Sequence, residues 1–321
     1  MITSRASNYL ASRGLPTHDA HALEDSPHRF SDGAHFRIEV PTINNPIALK
    51  SLIEHTKRLG VSINRISITY GVMRYLDSEI TDMLKVAADA GIEAFMMVGP
   101  RAILDIGAQA HLKTLNAQHV AYRLRGTDAL SYGLEDAFRA IDLGCRGIIA
   151  CDEGLLYALN DMRTAGEVPS DLQLKASVLL GVTNILSFKR IEQDGADSIN
   201  IQRDMPLSMI AGFRQASALP MDVHANNPEQ TGGFVRTYDV PEMVRVASPL
   251  YVKTGNVAVS HHSIMVDDGA GLRMAREVAL SVQHINKYLP DAIQSKPGEA
   301  SMALPKPASD AVKTPVAAAA V

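Results

Sequence analysis

Between residues 35 and 290 the chain repeats one plan, a short run rich in β-branched residues followed by a longer stretch of helical period. The runs are FRIEVPT (36–42), RISITYG (65–71), EAFMMVG (93–99), VAYRLRG (120–126), GIIACDE (147–153), LQLKASVLL (172–180), SINIQRD (198–204) and PMDVHAN (220–226). Their starts lie 22 to 29 residues apart. That spacing holds a strand, a helix and two short loops, the βαβ unit of a parallel sheet. Eight such units predict a closed (β/α)8 TIM-type barrel over 34–290, with an open doubly wound sheet as the alternative.

The intervening stretches carry helix punctuation. The segment 78–91 offers Ser78 as N-cap and Gly91 as stop, 127–144 offers Thr127 or Asp128 and Gly144, and 183–195 repeats the scheme. Residues 1–33 and 291–321 show no sustained period and read as disordered tails that the barrel does not need. His18, His21, His28 and His35 fall in or beside the first tail without thiol or carboxylate partners at ligand spacing, so they read as solvated rather than metal-binding.

Alternation within the strands carries the functional signal, because side chains two apart share a face. One face holds Arg37 and Glu39, Ser67 and Thr69, Arg123 and Arg125, Gln173, Lys175 and Ser177, Asn200, Gln202 and Asp204, Asp222 and His224. The other holds Ile38, Val40, Ile66, Ile68, Leu172, Leu174, Ile199, Ile201, Met221 and Val223. The apolar face suits the layer under the helices, so the polar face points into the barrel. Barrel interiors are usually filled by branched apolar residues. A polar one implies either a buried ion-pair network or a wet cavity for a polar ligand.

Composition narrows the classes. A net charge of −4 and no basic stripe give no footprint for nucleic acid. Two cysteines, Cys145 and Cys151, make neither a disulfide framework nor a thiolate metal site. No apolar run reaches membrane-span length, and the first residues lack a secretory apolar region, so a cytoplasmic protein is expected. No GxGxxG, Walker, HExxH or GxSxG motif is present, which leaves nicotinamide, flavin, nucleotide-phosphate and serine-hydrolase readings without a signature.

Barrel chemistry sits at the C-terminal strand ends. There Arg123 and Arg125 are placed for bidentate capture of a carboxylate or phosphate, with Gln202, Arg203 and Asn226 as further binding groups for a small anionic molecule. Asp222 and His224, on the last of these runs, would close against Glu39. That trio can hold one divalent metal ion or serve as acid–base machinery. His261 and His262 are candidate extra ligands. Lys175 is a candidate Schiff-base lysine or anion anchor, Asp204 is its candidate partner, and Thr231-Gly232-Gly233 is a candidate anion nest.

The stretch from about 147 to 226 resembles the collagenase-like peptidase U-32 family. GIIACDEG is similar to that family's strand ending in Asp and Gly. LQLKASVLLGVTNILSFKRIEQDGADSINIQRDMPLSMI is similar to its run of strand, Val-Thr-Asn, helix and strand, and MDVHAN to its strand ending in Val-His-Gly. The resemblance implies a barrel in which Asp152, Asn184, Arg203, Asp204 and His224 occupy family positions. Lys175 stands where the family often has His, and Asp204 where it has Glu. The cysteines that hold an iron–sulfur cluster in many members are missing after Cys151, so that cofactor is not implied.

These readings converge on a barrel enzyme for a small anionic substrate, with Glu39, Lys175, Asp204, Asp222 and His224 as catalytic candidates and acid–base or metal-assisted chemistry of lyase, isomerase or hydrolase type. A peptidase-type hydrolase and a non-catalytic partner subunit are the rivals. No nucleic-acid or membrane partner is expected, and an oligomer is compatible with the sequence.

Overall fold

The computed structural model describes residues 4–17, 19, 23–104, 112, 114, 117, 120–260 and 264–306. Eight parallel strands close into a barrel: β1 (Phe36–Pro41), β2 (Arg65–Ile68), β3 (Glu93–Met97), β4 (Gly147–Ala150), β5 (Gln173–Ala176), β6 (Ser198–Asn200), β7 (Met221–His224) and β8 (Leu250–Lys253). Each strand pairs with its neighbours in chain order, and β8 closes on β1 through Phe36↔Leu250 and Glu39↔Lys253. The predicted barrel is therefore the observed one. Its apolar strand faces, from Ile38 and Val40 round to Met221 and Val223, are buried in one core with the helices outside.

One strand differs from the sequence reading. Residues 121–125 of the run VAYRLRG form a turn, and Arg125 is the N-cap of the helix Gly126–Asp142. The eighth strand is instead LYVK, so β7 neighbours β8 rather than β1. The run 120–126 has three long polar side chains and a helix-breaking glycine, whereas LYVK alternates two apolar residues with Tyr251 and Lys253. The helix expected over 78–91 runs Asp77–Asp89, and Glu79 reaches back to the backbone N–H of Leu76 at 2.8 Å, so Leu76 and not Ser78 is its N-cap. At the closure seam the helix Ala270–Tyr288 packs on Pro46–Arg58. Gly271 permits this, since a Cβ there would lie 2.4 Å from the Ala48 carbonyl oxygen.

The barrel does not end at 290. Residues 294–306 cross its N-terminal face, where Phe36 pairs with Gln294 and the Ser295 N–H donates to the Phe36 carbonyl at 3.1 Å. Arg37 donates to Ser295 Oγ at 2.9 Å and to Ser301 Oγ at 2.7 Å, and the Ala303 N–H donates to Glu93 Oε1 at 3.0 Å. From the other terminus Phe30 packs edge-on to Tyr251 at 5.3 Å and lies 4.2 Å from the Arg37 guanidinium. These stretches, expected to be dispensable tails, cover charged groups that a bare barrel end would leave exposed. No helix among the described residues is long and apolar enough to cross a membrane.

Candidate functional site

Strand pairing sets Glu39 of β1, Lys253 of β8 and His224 of β7 side by side, with Arg65 of β2 opposite Glu39 on its other flank. All four point inward because their neighbours in sequence belong to the outer core. Glu39 is fully buried. Its Oε1 accepts from Ser67 Oγ at 2.7 Å and lies 3.0 Å from Lys253 Nζ, and its Oε2 accepts from Lys175 Nζ. Lys175 Nζ also lies 2.9 Å from Asp222 Oδ1, which accepts from Arg65 Nη1 at 3.1 Å. Lys253 Nζ donates to Asn200 Oδ1 at 3.0 Å, and Asn200 Nδ2 lies 3.4 Å from His224 Nδ1. Below this layer Arg65 donates to Glu93 Oε2 at 2.7 Å, and its guanidinium carbon lies 3.5 Å from the Tyr251 ring centre.

Burial and charge divide the protonation states. Desolvation alone would raise the Glu39 carboxyl, but Lys175, Lys253 and Arg65 outweigh it and hold its pKa well below the usual value. Asp222 has fewer cationic contacts, so desolvation and the nearby Glu39 charge push it up to about 6. Its Oδ2 is buried without a hydrogen-bond partner among the described residues. Asp222 and Glu39 act on each other's charge, so the two carboxyls titrate as a pair. Burial, reinforced by Lys253 and Arg203, holds the His224 imidazole well below the usual histidine value, so it is neutral at neutral pH. Burial, with the Lys175 charge adding to it, lowers Lys253 to about 8 against the pull of Glu39.

A cleft at the C-terminal strand ends opens onto this layer. Lys175, Lys253, Arg203, His224, Asn200 and Asn256 line it with Thr42, Thr69 and Ser177, and Met97, Ile149, Val178 and Leu179 form apolar walls. No aspartate or glutamate lines it among the described residues. Burial lowers the pKa of Arg203, whose Nε lacks a hydrogen-bond partner among the described residues. Thr42 sits at φ 66°, a strained conformation for a β-branched residue, fixed by its N–H to the Ser67 carbonyl at 2.8 Å and its hydroxyl to Asn256 Oδ1 at 3.1 Å.

Glu39 and Asp222 thus meet across the barrel interior through Lys175, whose expected partner was Asp204, and His224 reaches the group through Asn200 and Lys253. Other candidates do not join them. Arg123 pairs with Glu153 outside the cleft, and Arg125 is exposed, because their segment is a turn. Asp204 is exposed, so it is no partner for Lys175, and Gln202 is half-buried beyond the cleft. Asn226 is buried but engaged by Thr254 Oγ1 at 3.1 Å and Glu277 Oε2 at 3.2 Å. Asp152 and Asn184 accept backbone N–H bonds as helix N-caps. The N–H groups of Thr231, Gly232 and Gly233 turn back to Pro228 and Glu229, so they form a plain turn. His261 and His262 lie outside the described residues, as do His18 and His21.

The donor set of Glu39, Asp222 and His224 does not fit a metal ion. Lys175, Lys253 and Arg65 already occupy three of the four carboxylate oxygens, and no group of three metal-type donors is assembled among the described residues. The sequence reading missed Lys253, Arg65 and Glu93. Arg65 and Glu93 begin runs that were recognised. Lys253 and Tyr251 alternate with Leu250 and Val252 within LYVKTG, the same period-two signal that the other strands carry.

No protein-family model matches the chain, and no curated protein matches it. Solved structures similar to it include a U32 peptidase with 15% identity and TM-score 0.44, covering 71% of this chain and 96% of that one. An aldolase from Escherichia coli K12 has 12% identity and TM-score 0.45, covering 79% and 90%. A thiamine phosphate pyrophosphorylase from Pyrococcus furiosus has 8% identity and TM-score 0.46, covering 79% and 97%. The barrel itself is established by the strand pairing, and these likenesses assign no reaction or residue role to this chain.

Proposed function

We propose that this chain is a barrel enzyme that takes a small anionic substrate into the cleft above Lys175 and Lys253 and acts on it by proton transfer, as a lyase or isomerase. The carrying observation is the lining, with three cationic side chains and no carboxylate among the described residues. Arg203 lines the cleft, and its planar fork suits a carboxylate or phosphate. His224, neutral in its setting, is the base, and Lys253 is the neighbouring acid. The apolar walls keep water back and strengthen the electrostatics of the floor. A narrow cleft between strand ends suits a small molecule better than an extended peptide, which favours this reading over peptidase chemistry.

Hydrogen exchange in D2O tests it. Small hydroxy and oxo acids are incubated with the protein, and exchange at carbon next to the carboxylate or carbonyl is followed by NMR. Exchange by the wild type that disappears in His224→Ala, with the circular dichroism unchanged, is the expected result. No exchange with any acid, or undiminished exchange in His224→Ala, would defeat the proposal.

A further inference from the structure

We infer that Lys253 is a covalent nucleophile whose Nζ forms an imine with a small carbonyl-bearing anion, an oxo acid or an aldehyde acid, held in the cleft. The inference rests on the anion-binding reading above and adds to it a substrate class and a bond.

Two buried lysines compete for the role, and their partners separate them. Lys175 Nζ sits between two carboxylates, Glu39 and Asp222. Lys253 Nζ faces one carboxylate oxygen and one neutral amide oxygen, each at 3.0 Å. Losing a proton therefore sacrifices fewer charge-assisted bonds at Lys253. The like charge of Lys175 and burial both favour its neutral amine, and its pKa near 8 agrees. Lys253 ends its strand at the face where the cleft opens and borders that cleft. His224, its register neighbour on β7, borders the same cleft as a neutral imidazole.

The step balances without a further reagent. The Lys253 ammonium releases a proton to solvent at the cleft mouth, and the freed amine adds to the carbonyl carbon. A C–N bond forms, the C=O π bond breaks, and the oxygen takes a proton back from solvent. A second nitrogen proton leaves with that oxygen as water, and the nitrogen lone pair closes the C=N bond. Ammonium plus carbonyl thus gives iminium plus water with charge conserved. The iminium acidifies the adjacent C–H, which His224 is then free to take. Arg203 holds the anionic end throughout.

Reductive trapping reads the bond directly. The full chain is treated with cyanoborohydride and either glyoxylate or pyruvate, and the adduct is located by intact mass and peptide mapping. One adduct per chain on Lys253 is expected, absent in Lys253→Met and retained in Lys85→Met, whose lysine is exposed and remote from the cleft. Its rate should rise through a midpoint near pH 8, below the usual lysine range of about 10.4. Lactate, which has the anion without the carbonyl, is measured alongside by thermal shift on the wild type and Arg203→Ala. If lactate binds and depends on Arg203 but no adduct forms on Lys253, the imine inference falls and the anion site stands. If lactate does not bind and no adduct forms, both fall. Labelling spread over surface lysines, or confined to Lys175, also overturns the inference.

Discussion

Replacing Asp222 by Asn asks whether the charged floor is a stability device or a strained site. Asp222 is fully buried, and its pKa moves from 3.8 to about 6 on folding. The folded state therefore binds more protons than the unfolded chain between those values, and stability falls as pH rises through that window. A shift of about two units corresponds to about 3 kcal/mol of cost for carrying the ionised carboxylate at pH 8. Asn keeps the Oδ1 acceptor that Arg65 and Lys175 use. Its amide nitrogen takes the place of Oδ2, which no donor faces among the described residues. Asp222→Asn is therefore expected to be neutral to stabilising at pH 8, by up to about 3 kcal/mol or roughly 6 °C in Tm. At about pH 3, below both values, the carboxyl is protonated in the folded and the unfolded chain alike, and the two proteins should melt together. Urea and thermal melts at both pH values decide it. A loss of about 3–5 kcal/mol at pH 8, as when a buried ion pair is broken, would refute the reasoning and make Asp222 an essential anion.

Ending the chain after residue 292 removes the partners of Arg37, Asn64 and Glu93, so a loss of about 3 kcal/mol or more, or failure to yield folded protein, is expected in urea melts. Gly91→Val places a β-branched residue at φ 66° with its Cβ 2.8 Å from the Gly298 nitrogen, and should cost about 1–3 kcal/mol by the same measurement. A cost below about 0.5 kcal/mol, as for a plain surface change, would mean that residues 294–306 do not dock there. Lys253 falls from 10.5 to about 8 on folding, so the unfolded chain binds more protons in that window and stability should rise with pH across it. Lys253→Met should flatten the rise by about 3 kcal/mol between pH 8 and pH 10.5. An identical pH slope in variant and wild type would show that Lys253 is not strained.

The barrel was legible because strand and helix periods alternate eight times, and the polar interior was legible because alternation within a strand fixes which side chains face in. Glu39, Lys175, Asp222 and His224 were found in this way. The errors share one cause. Arg123 and Arg125 looked like inward strand residues because VAYRLRG has strand propensity, yet propensity is a weak prior beside tertiary context. Counting that run as a strand left no place for LYVK, and so hid Lys253. Asp204 and Gln202 continue the alternation of β6 on paper, but the strand stops at Asn200 and the pleat no longer governs where they point. The role of 294–306 was invisible because that segment binds through single serines and backbone groups and not through a periodic apolar face.

Calorimetric titration of oxalate, a small rigid dianion, most directly tests whether the cleft is an anion site. Wild-type protein is expected to bind one oxalate per chain, and Arg203→Ala to bind it at least about tenfold more weakly, the loss of one charged hydrogen bond of about 1.5–3 kcal/mol. No binding by the wild type, or equal affinity in Arg203→Ala, would contradict an anion-binding cleft and leave the buried charges as a structural network.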